Sequence, residues 1–168
     1  MSNYESQAAQ LQKEFGTFKN NTQNDDRYTE AYKAGAIKAE REKVSEKMAE
    51  LRKAHQSERA AQLQSLVNSA FARRGSEVEY LTTMNAVDAM TRSQLTKFID
   101  NAISINAEEA LRAAGRVAYN SSDLDTLYRI RDNTSGDLSR SIDALLERLV
   151  STKDVETRLK ESITFSVP

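Results

Sequence analysis

The sequence predicts an all-α protein, with one long amphipathic helix and a smaller C-terminal bundle of short helices. The only proline, Pro168, is the last residue, and glycine occurs 5 times in 168 residues. The residue that most strongly breaks helices is therefore missing from the interior. Apolar residues recur at helical spacing along most of the chain. After residue 75, Ser, Thr or Asn is repeatedly followed three positions later by an acidic residue or glutamine, which is typical of helix starts.

The composition limits the class of protein. Hydrophobic residues make up 39% and charged residues 29% of the chain, so the core is modest for this length. An elongated shape or burial against a partner would explain that deficit. The absence of cysteine excludes disulfides, thiol catalysis and cysteine-based zinc sites. No apolar run reaches the roughly 18 residues of a membrane span, and the polar N-terminus lacks a signal-peptide core. The expected location is cytoplasmic, or a virion if the protein is viral.

The first segment, residues 1–26, is predicted to hold a short helix over 2–16 and then a polar linker. Three apolar residues of this segment share one helical face: Leu11, Phe15 and Phe18.

The second segment, 27–75, is predicted to be a long charged helix. Without a proline, roughly 45 residues would span about 70 Å. Its apolar residues fit the a and d positions of a heptad repeat: Ala34, Ile37, Val44, Met48 and Leu51, followed by His55. The small C-terminal half is not expected to cover this stripe. Ile37, Val44, Met48 and Leu51 are therefore the predicted oligomer interface. The register shifts after Glu58, as a stutter would produce.

The third segment, 76–168, is predicted to be a compact bundle of short helices. Arg73, Arg74 and Gly75 indicate the end of the long helix, with glycine as a left-handed cap. Five pairs mark helix starts: Ser76 with Glu79, Thr91 with Gln94, Asn106 with Glu109, Ser122 with Asp125, and Ser151 with Asp154. Gly115, inside a helical pattern, indicates close helix packing. The final stretch, 163–168, either packs on the bundle or serves as a terminal peptide for a partner.

Catalytic chemistry has little support in this sequence. His55 is the only histidine, and its neighbours on a helix do not assemble a nucleophile, a base and an orienting acid. It is interpreted as a solvent-facing or seam residue. We therefore expect no catalytic, cofactor-binding or metal-binding residues, no cofactor and no small-molecule substrate. The predicted class is a non-enzymatic protein.

Charge is unevenly distributed along the chain. The total is −1, but residues 26–74 carry eleven lysines and arginines against seven acidic residues. Five basic residues are candidate phosphate contacts: Lys38, Arg41, Lys43, Arg52 and Lys53. The interleaved glutamates favour a solvated, mixed-charge face instead, so nucleic acid is the secondary partner.

Tyr28 and Tyr32 lie one helical turn apart at the start of the second segment. Tyrosine is enriched at interface positions that concentrate binding energy, so the pair would suit an interface anchor. A staple against the N-terminal helix would suit it equally.

A polar N-terminus, a charged long helix and a small helical C-terminal domain resemble bacteriophage scaffolding or minor virion proteins, and more loosely helical secretion chaperones. The resemblance covers most of the chain. It implies that the coiled coil dimerises and that a terminal helical segment docks on a capsid subunit. Ile37, Val44, Met48 and Leu51 would then form the dimer seam. The expected partners are a second copy of the chain and another protein.

Overall fold

The computed structural model describes residues 3–153 and 155–168, without the side chains of residues 151–153 and 155. Regular structure in these residues is α-helical throughout, which confirms the predicted all-α class. The helices are α1 (Asn3–Gln23), α2 (Glu30–Ala70), α3 (Glu77–Asp88), α4 (Arg92–Ser104), α5 (Glu108–Asn120), α6 (Leu124–Asp132), α7 (Gly136–Lys153) and α8 (Val155–Thr164).

The chain forms two compact units. Unit 1 comprises the residues up to 60 together with those from 153 onward, and unit 2 comprises 61–152. The structure thus divides the chain differently from the segments 1–26, 27–75 and 76–168. The difference arises because the C-terminal residues pack with the N-terminal ones, which the local sequence pattern does not reveal.

Helix α1 is longer than the helix predicted over 2–16. It continues through the polar residues to Gln23, so the linker prediction is wrong for 20–23. Asparagine, threonine and glutamine each cost only a fraction of a kcal/mol in a helix, about 0.7 at most. The Lys33 Nζ donates to the Gln23 carbonyl at 3.1 Å, which satisfies one of the free acceptors at the end of α1.

Helix α2 is continuous over 41 residues and contributes to both cores. Val44 and Met48 belong to the core of unit 1, whereas Val67 and Ala70, together with Phe71 just after the helix, belong to that of unit 2. The shift in apolar register that the sequence shows after Glu58 coincides with this change of core.

Helix α5 lies in the middle of unit 2, in contact with α3, α4 and α6. Seven of its residues are buried: Leu111, Arg112, Ala113, Ala114, Gly115, Val117 and Ala118. A Cβ atom placed on Gly115 would lie 2.9 Å from Phe71 Cδ1. The close helix packing predicted for Gly115 is therefore confirmed.

Side chains from other helices satisfy the end of α2. Arg112 Nη1 donates to the Ala70 carbonyl at 2.6 Å, and the Tyr80 hydroxyl donates to the Phe71 carbonyl at 2.7 Å. Burial raises the pKa of Tyr80. The glycine cap predicted at Gly75 is wrong, because α2 ends at Ala70 and Gly75 does not have a positive φ angle.

Two of the predicted helix starts are confirmed and two are wrong. Ser76 and Thr91 cap α3 and α4, and Thr91 completes a capping box. Asn106 and Ser122 instead take positive φ angles of 54° and 60°. They end the preceding helices in left-handed conformations, as helix termini commonly do, and Asp123 caps α6. The start predicted at Ser151 and Asp154 lies outside the described side chains.

Candidate protein-binding surface

The predicted oligomer seam is largely covered within unit 1. Val44 is 5% exposed and Met48 is 1% exposed. Both lie in a cluster with buried residues of α1 and of the C-terminal stretch: Ala8, Phe15 and Phe165. The premise that the chain cannot cover this stripe is therefore wrong for Val44 and Met48, and neither is available to a second chain. Oligomerisation itself stays a prediction.

The C-terminal stretch supplies part of that cover. Gln12 Nε2 on α1 lies within hydrogen-bond distance of three carbonyls, those of Ile163 (3.3 Å), Thr164 (3.1 Å) and Ser166 (2.8 Å). An ion pair joins Arg59 to Glu161. Of the two roles predicted for residues 163–168, packing is what the structure shows, although on unit 1 rather than on the C-terminal bundle.

His55 is buried in the same cluster rather than facing solvent. It is 7% exposed, and its ring centroid lies 6.1 Å from that of Tyr4 and 5.5 Å from that of Phe165. Its Nδ1 atom has no hydrogen-bond partner among the described residues. The solvent-facing alternative is therefore wrong, and the residues that cover His55 belong to its own chain rather than to a second one.

The other predicted seam residues are only partly covered. Ile37 and Leu51 pack against the edge of the cluster and keep part of their surface in solvent. Leu51 also lies in an open groove between α1 and α2, with a volume of about 500 Å³. We call this feature the hairpin groove. Its lining residues are Gln7, Gln10, Leu11, Lys47, Glu50, Leu51 and Ala54.

The hairpin groove has an apolar floor and a polar rim. Leu11, Leu51 and Ala54 form the floor, and each is half-buried. Phe18 lies seven residues after Leu11, which places it two turns further along the same face of α1, and it is 36% exposed. Apolar surface thus continues beyond the groove along α1.

Two opposite charges stand on the rim of the hairpin groove. Lys47 and Glu50 are both exposed, and within the described residues neither takes part in an ion pair. The nearby pair Lys43–Glu40, with 3.3 Å between Nζ and Oε2, is satisfied within α2. Among the described residues, the rim therefore presents one free cation and one free anion beside an apolar floor.

The five candidate phosphate contacts are all exposed on α2. At 3.6 residues per turn, Lys38, Arg41 and Arg52 fall within an arc of roughly 60°. Lys53 lies about 60° from Lys38 on the opposite flank, whereas Lys43, which is paired with Glu40, lies about 140° from Lys38. Four of the five therefore face one side of α2, within an arc of about 120° and along about 22 Å of its length, and Lys43 lies apart.

Tyr28 and Tyr32 are exposed and pack on each other. Tyr28 is 43% and Tyr32 is 55% exposed, and their rings stack with centroids 4.6 Å apart. The Arg27 guanidinium lies 5.7 Å from the Tyr28 centroid. The two rings pack on each other and belong to neither buried cluster, so the structure does not support the staple against α1.

Unit 2 carries a second groove, between the end of α2 and α7. Its volume is about 660 Å³, and its lining is Gln62, Ser65, Leu66, Ala144, Glu147 and Arg148. Arg148 Nη2 donates to Gln62 Oε1 at 2.6 Å, so a polar contact already joins its two walls. The hairpin groove is the more apolar of the two.

The described residues contain neither a candidate metal centre nor a candidate membrane span. No three His, Asp or Glu side chains among them are grouped closely enough to hold a metal ion. None of the described helices combines the length and apolarity needed to cross a bilayer.

Sequence reasoning missed the hairpin groove as a surface. The signal was present, since Leu11 and Phe18 follow helical spacing on α1, but it does not show which of these residues the second helix covers.

Comparison of the chain with protein-family models, with curated proteins and with solved structures finds no match.

Proposed function

We propose that the protein is a non-enzymatic structural or assembly protein that self-associates and binds other proteins through its helices. The proposed class is that of the helical bacteriophage scaffolding and minor virion proteins, located in the cytoplasm or in a virion. The observation that carries the proposal is the hairpin groove, an open groove with an apolar floor between α1 and the strongly charged α2.

An open groove of this kind favours association. Burying apolar surface contributes roughly 25 cal/mol per Å², and contiguous exposed apolar patches on soluble proteins commonly mark interaction sites. Leu11, Leu51 and Ala54 share one concave face, so a single partner helix would cover all three. This is the helix-in-groove arrangement, in which an amphipathic helix lays its apolar face between two others.

The position of the histidine supports a non-catalytic role. His55 is held between two aromatic rings in the core of unit 1 and is 7% exposed. A general base must come within hydrogen-bond reach of its substrate. His55 packs as a core residue and exposes little surface to a substrate.

The molar mass in solution tests the proposal. We expect light scattering at tens of micromolar to give a mass above the 18.9 kDa of one chain. Leu51→Gln should shift the population toward monomer, because it places a polar amide on the groove floor. The matched control is Leu81→Gln, since Leu81 is 49% exposed on α3 and lies outside the groove. A wild-type protein that stays monomeric at this concentration would overturn the self-association.

A second candidate function is nucleic-acid binding by the basic arc of Lys38, Arg41 and Arg52. Its support is that all three are exposed and lack an ion pair within the described residues. Each phosphate contact lowers the logarithm of affinity by about 0.9 per decade of salt. Binding to duplex DNA should then fall with a slope of about −3 and disappear when all three charges are reversed. A salt-independent signal, or binding that survives the reversal, removes this candidate.

A further inference from the structure

We propose that the occupant of the hairpin groove is a second copy of this chain, packed so that the two α2 helices run antiparallel about a two-fold axis near residues 48 and 49. This inference rests on the proposed self-association and adds its site and geometry. The α1 and α2 helices of the two copies would then form a four-helix arrangement around Leu51 and Leu11.

The charges on the rim favour a second copy over an unrelated partner. In a two-fold interface, if residue i of one chain meets residue j of the other, then j also meets i. Lys47 and Glu50 have opposite charges, are exposed and have no ion pair within the described residues. Each is therefore the complement of the other, and a single antiparallel contact between copies satisfies both. A rim of one sign only would instead have required a partner of the opposite charge.

The register follows from the positions of these two residues. If Lys47 lies opposite Glu50 of the other copy, the axis passes midway between them, between residues 48 and 49. At 1.5 Å of rise per residue, the two Leu51 residues are then about 7.5 Å apart along the helix direction. Side chains at this offset pack against each other across the axis. The same register sets Ala54 opposite Lys43, whose methylene groups can cover it.

The apolar floor supplies the attraction in this arrangement, and the charges supply the register. Leu11 and Phe18 lie on the α1 side of the same face, and both keep surface in solvent. Helices in four-helix bundles cross at about 20° with side chains interdigitating. In this geometry, the α1 and α2 helices of a second copy would cover both Leu51 and Leu11, and Phe18 would lie at the edge of the interface.

A charge-swap experiment tests the inference on the full-length protein. Lys47→Glu and Glu50→Lys each replace two attractive contacts with two repulsive ones, since the axis repeats every change. We expect each variant alone to weaken the dimer at least about tenfold, measured by sedimentation equilibrium. An equimolar mixture of the two should form a heterodimer, because one chain then carries only carboxylates at positions 47 and 50 and the other carries only ammonium groups. The double variant, with both charges exchanged, should again form a homodimer.

The control is Lys53→Glu, the same reversal on the same helix at an exposed position outside the groove. It should leave the dimer unchanged, and circular dichroism should show equal helix content in every variant. Suppose that the wild type dimerises, but that both single variants dimerise as tightly as the wild type, or that the mixture of the two forms no heterodimer. This inference is then wrong, and the proposed self-association stands. A monomeric wild type would instead remove the self-association itself.

Discussion

Replacing Gly115 by alanine has two opposite effects of similar size on the free energy of unfolding. A helix interior gains about 1 kcal/mol when glycine becomes alanine. At position 115, however, the new Cβ would lie 2.9 Å from Phe71 Cδ1, 3.2 Å from Cζ and closer still to Cε1. Phe71 is 3% exposed and sits in the core of unit 2, so its ring has little room to withdraw. Overpacking of this kind costs about 1–3 kcal/mol.

Gly35→Ala provides the matched control. Gly35 also lies inside a helix, but a Cβ atom there meets nothing within 4 Å. Both substitutions share the gain in helix propensity, so the difference between them isolates the steric cost at Phe71. We expect Gly35→Ala to raise the free energy of unfolding by up to about 1 kcal/mol. Gly115→Ala should lower it by about 1 kcal/mol, which is the middle of the overpacking range after the gain in propensity is subtracted.

Urea unfolding followed by circular dichroism measures both effects. With a slope of about 1–3 kcal/mol per molar urea, the two changes should move their transitions in opposite directions, each by roughly 0.5 M. Phe71→Leu in the Gly115→Ala background should recover part of the loss, because the smaller side chain vacates the space of the ring. The reasoning is refuted if Gly115→Ala is as stabilising as Gly35→Ala, or if the two substitutions at 71 and 115 are additive.

Three further substitutions test the contacts that hold each unit. Arg112→Met should cost about 1–3 kcal/mol in urea unfolding, since it leaves the buried Ala70 carbonyl without its donor. Phe165→Ala should cost about 3 kcal/mol in the same assay, because it empties part of the unit 1 core. The pKa of Asp25 is lowered from 3.8 to about 2, chiefly by the hydrogen bond from the Arg27 side chain. Arg27→Gln should return it toward 3.8 in an NMR titration.

The direction of the Asp25 pKa shift determines how its pairing with Arg27 changes stability with pH. Because the folded pKa lies below the ordinary value, the pairing favours the folded state above pH 3.8 and is lost as the pH falls to about 2. The effect on stability is small, since the pair is exposed to solvent. Unchanged titration in Arg27→Gln would contradict the assignment. For the two core substitutions, a loss below about 0.5 kcal/mol, typical of surface positions, would contradict the assigned roles.

Helix content was predictable from sequence because it depends on local properties. The absence of interior proline and the helical spacing of apolar residues do not require knowledge of the tertiary fold. The starts at Ser76 and Thr91 were also local, since each cap bonds the amide three residues ahead. Asn106 and Ser122 carry the same pattern but end helices instead. A polar residue between two helices can either end the first helix or cap the second.

The candidate site was harder to predict because periodicity identifies burial without identifying what covers it. The spacing of Val44 and Met48 correctly indicates a buried stripe. It contains no information that Phe15 and Phe165, distant in sequence on opposite sides, supply the cover. Leu51 has the same spacing, yet one side of it faces an open groove. Only the packing of α1 on α2 separates these cases.

The C-terminal boundary of α2 depends on donors that lie far away in the sequence. Tyr80 and Arg112 are 9 and 42 residues from the carbonyls that they satisfy. A synthetic peptide restricted to α2 should therefore fray at residues 68–70, however strong its own helix propensity. Among homologous chains, positions 80 and 112 should accept new residues only together with a substitute donor.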